Sequence, residues 1–554
     1  MNTCRLYRSA TLFLFFILTA GLLFAQKLKK SEKATVNNLR SHISYLADDK
    51  LEGRRTGSAG EKLAMEYISK QFEQIGLEPK GTKGYYQAFE VYDGKQVNPS
   101  THLIINNNDL KMGKEFFPLA FSGNQSIEAF PAISLREEKM PWFINLSDAL
   151  EENSNNPHFD IAGYVLDKSR DAAAKGATAL IFYNTSSADD GLKFDPKDRN
   201  EPVSIPVLYV EKNTAKKIFA DETASVDLKL KVDIGKKYRT GHNVIGFINN
   251  GAAITAVLGA HFDHLGFGED GNSMLRTGEK LIHNGADDNA SGTAALIELA
   301  RMLKGSKQKN SNYLFIAFSG EELGLNGSKY FTENPTIDLS SVNYMINMDM
   351  IGRLNESTNT LTIGGIGTSP AWGKMITPDK KSSLVIKTDS SGTGPSDHTS
   401  FYRKDIPVLF FFTGLHTDYH RPTDDADKIN YTGELRIIQL INSIVAAADK
   451  PQQKLAFTKT RETQTTTSAR FSVTLGVMPD YTFSGTGLRL DGVSDGRPAQ
   501  KAGMKAGDVI VAIGDISISS VESYMQALGK FKKGDKVKVK YKRGEETKEA
   551  EVEF

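Results

Sequence analysis

The sequence predicts an α/β protein: a mostly parallel sheet flanked by helices, with an inserted β-rich module and a second β-rich module at the C-terminal end. Three observations predict it. Between about 238 and 448, continuous apolar runs alternate with helix-length amphipathic segments, the pattern of strands covered on both faces. From about 95 to 236, and again from 471 to 554, short strand-like runs lie between polar loops. The length of 554 residues corresponds to three or four domains at roughly 150 residues each.

The first element is residues 1–25. Arg5 and Arg8 precede the apolar run Ala10 to Phe24, and Ala25 closes it. This is the layout of a secretory signal peptide, and the run falls short of the roughly 20 apolar residues of a membrane span. Cys4 is the only cysteine. Its removal with the leader would leave no thiol, which excludes disulfides, cysteine-ligated zinc and a cysteine nucleophile. The mature chain is therefore expected to be exported, periplasmic or secreted, with no integral membrane span.

Residues 34–94 follow as two helices around the polar turn LEGRRTGSAGEK (51–62). Leu63, Tyr67, Ile68, Phe72 and Ile75 recur at three- and four-residue spacing, and Gly76 stands at the C-cap position. The insert, 95–236, carries one helix signal (KSRDAAAKGA, 168–177) and the apolar runs TALIFYN and SIPVLYV. From 237 to 449 come strands at 254–260, 313–319, 343–349 and 406–412, and helices at 291–303 and 433–448. A polar, threonine-rich stretch at 450–470 suits a linker. In the last module, VKVKYK (537–542) alternates at the strand period. With 68 basic and 67 acidic residues, the chain has no global field for gathering nucleic acid.

Chemistry-bearing residues collect at the carboxyl ends of the predicted strands, the edge where open α/β sheets bind ligands. They are His261-Phe262-Asp263, Asn284 to Gly292 (NGADDNASG), Glu321-Glu322, Asp349, and His420 within HRPTD. Imidazole together with carboxylate suits zinc better than calcium or magnesium. Two histidines and three acids supply five ligands, enough for two ions when one carboxylate bridges them. Taken singly each segment has a bland reading: Asp287 or Asp288 as an N-cap, Glu321 as a carboxylate in the first turn of a helix. Five such segments in order make coincidence a poor explanation. The Gly266–Gly271 match to GxGxxG has no helix behind it to cradle a phosphate.

GAHFDHLG, NGADDNASG, FSGEELGLNGS, NMDMIGR and YHRPTDDADKI, in that order, resemble the dinuclear zinc exopeptidases that include bacterial leucyl aminopeptidases, glutamate carboxypeptidase and the inactive transferrin receptor. The resemblance implies two zinc ions per chain, with Asp287 bridging, His261 and Asp349 on one ion, and Glu322 and His420 on the other. It implies that Glu321 is the general base, that Asp263 orients His261, and that the Asp287–Asp288 peptide is cis. The implied activity is hydrolysis of N-terminal residues from peptide substrates. A carboxypeptidase of the same family and a noncatalytic, transferrin-receptor-like binding protein are the alternatives. Arg353 is either a carboxylate binder or one half of an ion pair.

The insert resembles a protease-associated domain through DAAAKGATALIFYN and SIPVLYV, which implies a lid or a purely structural role. Residues 471–554 resemble a PDZ domain of bacterial proteases through GTGLRL (485–490) and PAQKAGMKAGDVIVAIGD (498–515). That resemblance implies capture of a peptide or protein C-terminus by strand addition.

Overall fold

The apolar runs at 254–260, 313–319 and 343–349 form the centre of a nine-stranded mixed sheet. The structure is a computed structural model that describes residues 28–554 apart from 155, 157–158, 199, 276, 378–382, 451–452, 461–472, 480–485, 494–495 and 519–520. The leader at 1–25, most of the threonine-rich stretch, and Gly485 of the C-terminal module lie outside the described residues. Among the described residues, no helix is long and apolar enough to cross a membrane.

Two helices open the described chain, α1 (Lys30–Leu46) and α2 (Ala59–Ile75), joined by a 3-10 turn at Asp49–Arg54. Helix α2 starts where the Ser58 side chain accepts the Glu61 N–H, and it ends at Gly76, whose φ of 84° is the left-handed cap. The strands of the sheet are β1 (Glu78–Pro79), β2 (Tyr86–Val97), β3 (Ile234–Ile248), β4 (Thr255–His261), β5 (Asn312–Phe318), β6 (Val342–Met348), β7 (Thr360–Gly364), β8 (Val385–Thr388) and β9 (Val408–Phe412). Their order is β1-β3-β5-β4-β6-β9-β7-β8, with β2 also on β3. The four central strands β5, β4, β6 and β9 are mutually parallel, whereas β3 joins β5 and β7 joins β9 antiparallel. The expected parallel sheet is thus its core, and antiparallel strands extend it on both sides.

Every residue of β4, β5 and β6 is buried, because both faces are covered. The alternation is visible in the packing. Tyr313, Phe315 and Ala317 join one core together with residues of α1, α2, α3 (Gly292–Lys304) and α6 (Tyr431–Ala448). Leu314, Ile316 and Phe318 join the other, with Phe331 of α4 (Asn326–Glu333) and Phe401 of α5 (His398–Tyr402). Residues 453–460, read from sequence as part of a linker, run against this region: Leu455 N–H donates to Asn343 at 2.7 Å and Thr458 N–H to the Thr368 carbonyl at 2.8 Å. Main-chain bonding of this kind fixes a segment that composition alone marks as loose.

Residues 90–239 form a separate compact unit. It holds one four-stranded antiparallel sheet and a second four-stranded sheet in which 142–145, 180–183 and 207–210 run parallel. Three helices, Ser147–Glu152, Ile161–Ala174 and Lys212–Ile218, accompany them, so the insert is more helical than its β-rich texture implies. It has two hydrophobic cores of its own. The C-terminal region has a further core around Leu475, Leu490, Ile510 and Val539, beneath a six-stranded sheet.

Candidate metal centre

The site is assembled at the carboxyl ends of the central parallel strands. His261 is the last residue of β4, Asp349 follows β6, and Glu321 and Glu322 occupy the turn after β5. His420 lies in the loop beyond β9 with φ of 52°, in the left-handed region that non-glycine residues seldom adopt.

His261, Asp349, Glu322 and His420 do converge, but the acid between them is Asp288 and not Asp287. Asp288 Oδ1 lies 3.4 Å from His261 Nε2, and Asp288 Oδ2 lies 3.2 Å from His420 Nε2. His261 Nε2 is also 3.4 Å from Asp349 Oδ1, and His420 Nε2 is 3.2 Å from Glu322 Oε2. Asp287 is turned away because its carboxylate is already engaged. Oδ1 accepts from Gly352 N–H at 2.6 Å and from the Ser291 hydroxyl at 3.0 Å, and Oδ2 meets His416 Nε2 at 3.2 Å. The cis peptide likewise falls one residue later than expected, at Asp288–Asn289.

Asp263 does not reach the ions' place. Its Oδ1 is 3.7 Å from His261 Nδ1 and accepts the Glu321 N–H at 3.2 Å, while Oδ2 accepts the Thr56 hydroxyl at 2.9 Å. It therefore links the His261 and Glu321 segments. Glu321 Oε2 stands 3.9 Å from His261 Nε2, and its side chain keeps an 11% exposure, open to an incoming molecule.

Four contributors were not among the expected site residues, although His264 and Asp424 stand inside the quoted motifs. His264 Nδ1 sits 2.8 Å from Glu322 Oε1 and fixes that carboxylate. Asp424 Oδ2 accepts the N–H groups of Asp287 and Asp288 at 2.9 and 3.1 Å. Arg54, fully buried, donates from Nε to the Phe262 carbonyl at 2.7 Å and from its other nitrogens to the carbonyls of Leu46, Asn284 and Gly285. His416 ties the loop of His420 to Asp287. The polar turn LEGRRTG was the one sequence signal for Arg54. Gly285 explains part of the NGADD motif: at φ of 56°, a Cβ there would lie 2.2 Å from the Asp288 carbonyl oxygen and 2.5 Å from the His264 ring.

Electrostatics show what the arrangement lacks. Burial, reinforced by Asp349 and Glu322 against the opposing His261, pushes the Glu321 carboxyl well above the usual range. Burial opposes charge on His261 and His420, yet Asp349 and Glu321 beside the first, and Glu322 and Asp288 beside the second, hold both imidazoles well above their ordinary value. Burial lowers the Arg54 guanidinium to about 10, and its hydrogen bonds go to carbonyls. No lysine or arginine among the described residues forms an ion pair with Asp288, Asp349, Glu321 or Glu322. Such a buried excess of anionic oxygen calls for cations. Among the described residues, two groups could hold a metal ion, His261-Asp288-Asp349 and His264-Asp288-Glu322, each with its donor atoms within 4.8 Å of one another. Both share Asp288. His420 Nε2 faces the second group from between Asp288 and Glu322 while its Nδ1 meets the Asn272 carbonyl at 2.9 Å, the orienting bond expected of a metal-binding imidazole.

Parts of this chain are similar to known proteins. Aminopeptidase YwaD of Bacillus subtilis (strain 168) is 27% identical over 302 residues, which cover 52% of this chain and 61% of that protein. Leupeptin-inactivating enzyme 1 of Streptomyces exfoliatus is 31% identical over 179 residues, 29% of this chain and 37% of that protein. The chain thus spans less than two thirds of the length of these curated relatives. A solved structure of a zinc aminopeptidase from Bacillus subtilis aligns with a TM-score of 0.42 at 21% identity, over 74% of this chain and 95% of that one. The model of peptidase family M28 matches residues 243–445, the stretch that carries every one of the converging groups, and a PDZ domain model matches 470–554. Residues 243–445 therefore belong to peptidase family M28, and the C-terminal region is a PDZ domain.

Proposed function

We propose that the protein is an exported, zinc-dependent aminopeptidase that removes N-terminal residues from peptides. The observation that carries this reading is the Asp288 carboxylate, with one oxygen 3.4 Å from His261 and the other 3.2 Å from His420. In this reading, His261 and Asp349 would hold one zinc ion, Glu322 and His420 the other, with Asp288 shared between the two groups. When bound, the two ions supply Lewis acidity and lower the pKa of water at the site.

The chain's own residues do the rest. Glu321 Oε2 takes a proton from the attacking water and returns it to the leaving amine nitrogen. Asp263 keeps His261 in register with the Glu321 backbone. Arg353 is one half of an ion pair, with Asp418 at 3.2 Å.

The arginine-flanked apolar leader supports export, and the family supports zinc. The inserted unit, with cores of its own, is read as a protease-associated module, and the PDZ domain as a holder of peptide or protein C-termini. The test is purified protein with zinc counted per chain, assayed on aminoacyl chromogenic substrates and on their N-acetylated forms. Cleavage of the free-amine set alone is expected. Cleavage of neither set by zinc-loaded protein would overturn the reading in favour of a noncatalytic binding role.

A further inference from the structure

The loops that bring Asp349 and His420 to the centre enclose a second feature. Just past Asp349, residues Arg353 to Glu356 form one wall of a cavity of about 650 Å3, and Thr413 to His416, leading toward His420, form another. That volume is within the range of small-ligand sites. The cavity adjoins the centre through two direct links. His416 lines it and meets Asp287 at 3.2 Å, and Arg353 Nη1 lies 4.0 Å from Asp424, which holds the N–H groups of Asp287 and Asp288.

Its lining is net cationic: Arg353, Lys387, Lys428 and Arg489 line it, against Glu356 alone among acids. Arg353 and Lys428 both lean on Asp418, at 3.2 and 2.8 Å, and Arg353 also comes within 4.0 Å of Asp424. Lys387, exposed on the edge strand β8, has no acidic partner among the described residues. A carboxylate is attracted by this cationic lining, and a protonated amine is repelled by it.

We propose that this cavity is a subsite for the terminal carboxylate of short peptide substrates, on the leaving-group side of the scissile bond. The inference rests on the peptidase reading of the adjoining centre and deepens it: the favoured substrates are short peptides with both ends free. Their scissile bond lies at the centre, and their carboxylate reaches Arg353, Lys387 and Lys428. Each residue of an extended peptide spans roughly 3.5 Å, so chain length sets whether the carboxylate arrives.

The test uses full-length protein and two peptide pairs, Leu-Gly-Gly and Leu-Gly-Gly-Gly, each as free acid and as C-terminal amide. Binding is measured by calorimetry on zinc-loaded Glu321→Gln protein, so that affinity is read without turnover, and leucine release is measured on the wild type. At least one free acid is expected to bind about tenfold tighter than its amide, with the advantage shrinking as salt rises. Lys387→Glu is expected to cut that advantage about threefold while leaving amide binding unchanged. Arg353→Gln serves as the second variant. Equal affinity for acid and amide in both pairs would overturn the subsite, as would a preference untouched by both variants. Tighter acid binding without leucine release, or with release of the C-terminal glycine, would leave the subsite standing and sink the aminopeptidase reading instead.

Discussion

The two halves of the centre are built differently. The His261 half stands on the sheet. His261 ends β4, its carbonyl accepts the Thr293 hydroxyl at 2.8 Å, the next residue's carbonyl is gripped by Arg54, and Asp263 is fully buried behind it. The His420 half stands on loops. Glu322 lies in a turn, and His420 is held at Nδ1 by the Asn272 carbonyl and at its own carbonyl by the Met274 N–H, both from another loop. A ligand at a strand end inherits the rigidity of the sheet, whereas a loop ligand is only as fixed as the loop that touches it. The comparison teaches that one candidate metal position rests on the sheet and the other depends on two loops agreeing.

Asp288 is the one side chain common to both halves, so its loss should have the largest effect. Asp288→Asn is expected to remove both ions and lower turnover by about 10⁴-fold or more, while Asp287→Asn keeps both ions, as elemental analysis per chain would show. If Asp287→Asn were the variant that emptied the site, the assignment made from the geometry would be wrong. Next comes Glu321→Gln, expected to retain the metal and lose about 10³-fold in kcat. Supporting residues separate the halves: Asp263→Asn should weaken zinc in the sheet half, and His264→Asn in the loop half, each by roughly 10- to 100-fold in competition with a chelator. The smallest effect is kinetic. Under mild chelation the loop-half ion should leave before the other, and melting should fall in two steps of a few degrees, about what loss of a bound ligand costs. Simultaneous departure would erase the distinction.

Much of this was legible in the residues. The strand read at 254–260 runs from 255 to 261, that at 313–319 from 312 to 318, and that at 343–349 from 342 to 348, because unbroken apolar runs are a strong signal for buried strands. Gly76 caps its helix as the spacing predicts. The choice between Asp287 and Asp288 was not legible. Two identical neighbours have the same chemistry, and only Ser291, Gly352 and His416, distant in the chain or silent in type, turn one of them away. Arg54 escaped for a related reason: its partners are carbonyl groups, which every residue possesses. The helices of the insert and the antiparallel outer strands of the main sheet depend on long-range pairing that local texture does not encode.

Because Arg54 grips peptide oxygens of Leu46, Phe262, Asn284 and Gly285, it is indifferent to which side chains those four positions carry. Drift at the gripped positions is therefore tolerated wherever their own packing allows, while the anchor itself is not exchangeable: an ammonium on a straight stem offers three donors from one point and cannot span four acceptors lying in separate directions. The candidate metal centre is in this sense moored to the chain's uniform backbone rather than to its variable side chains.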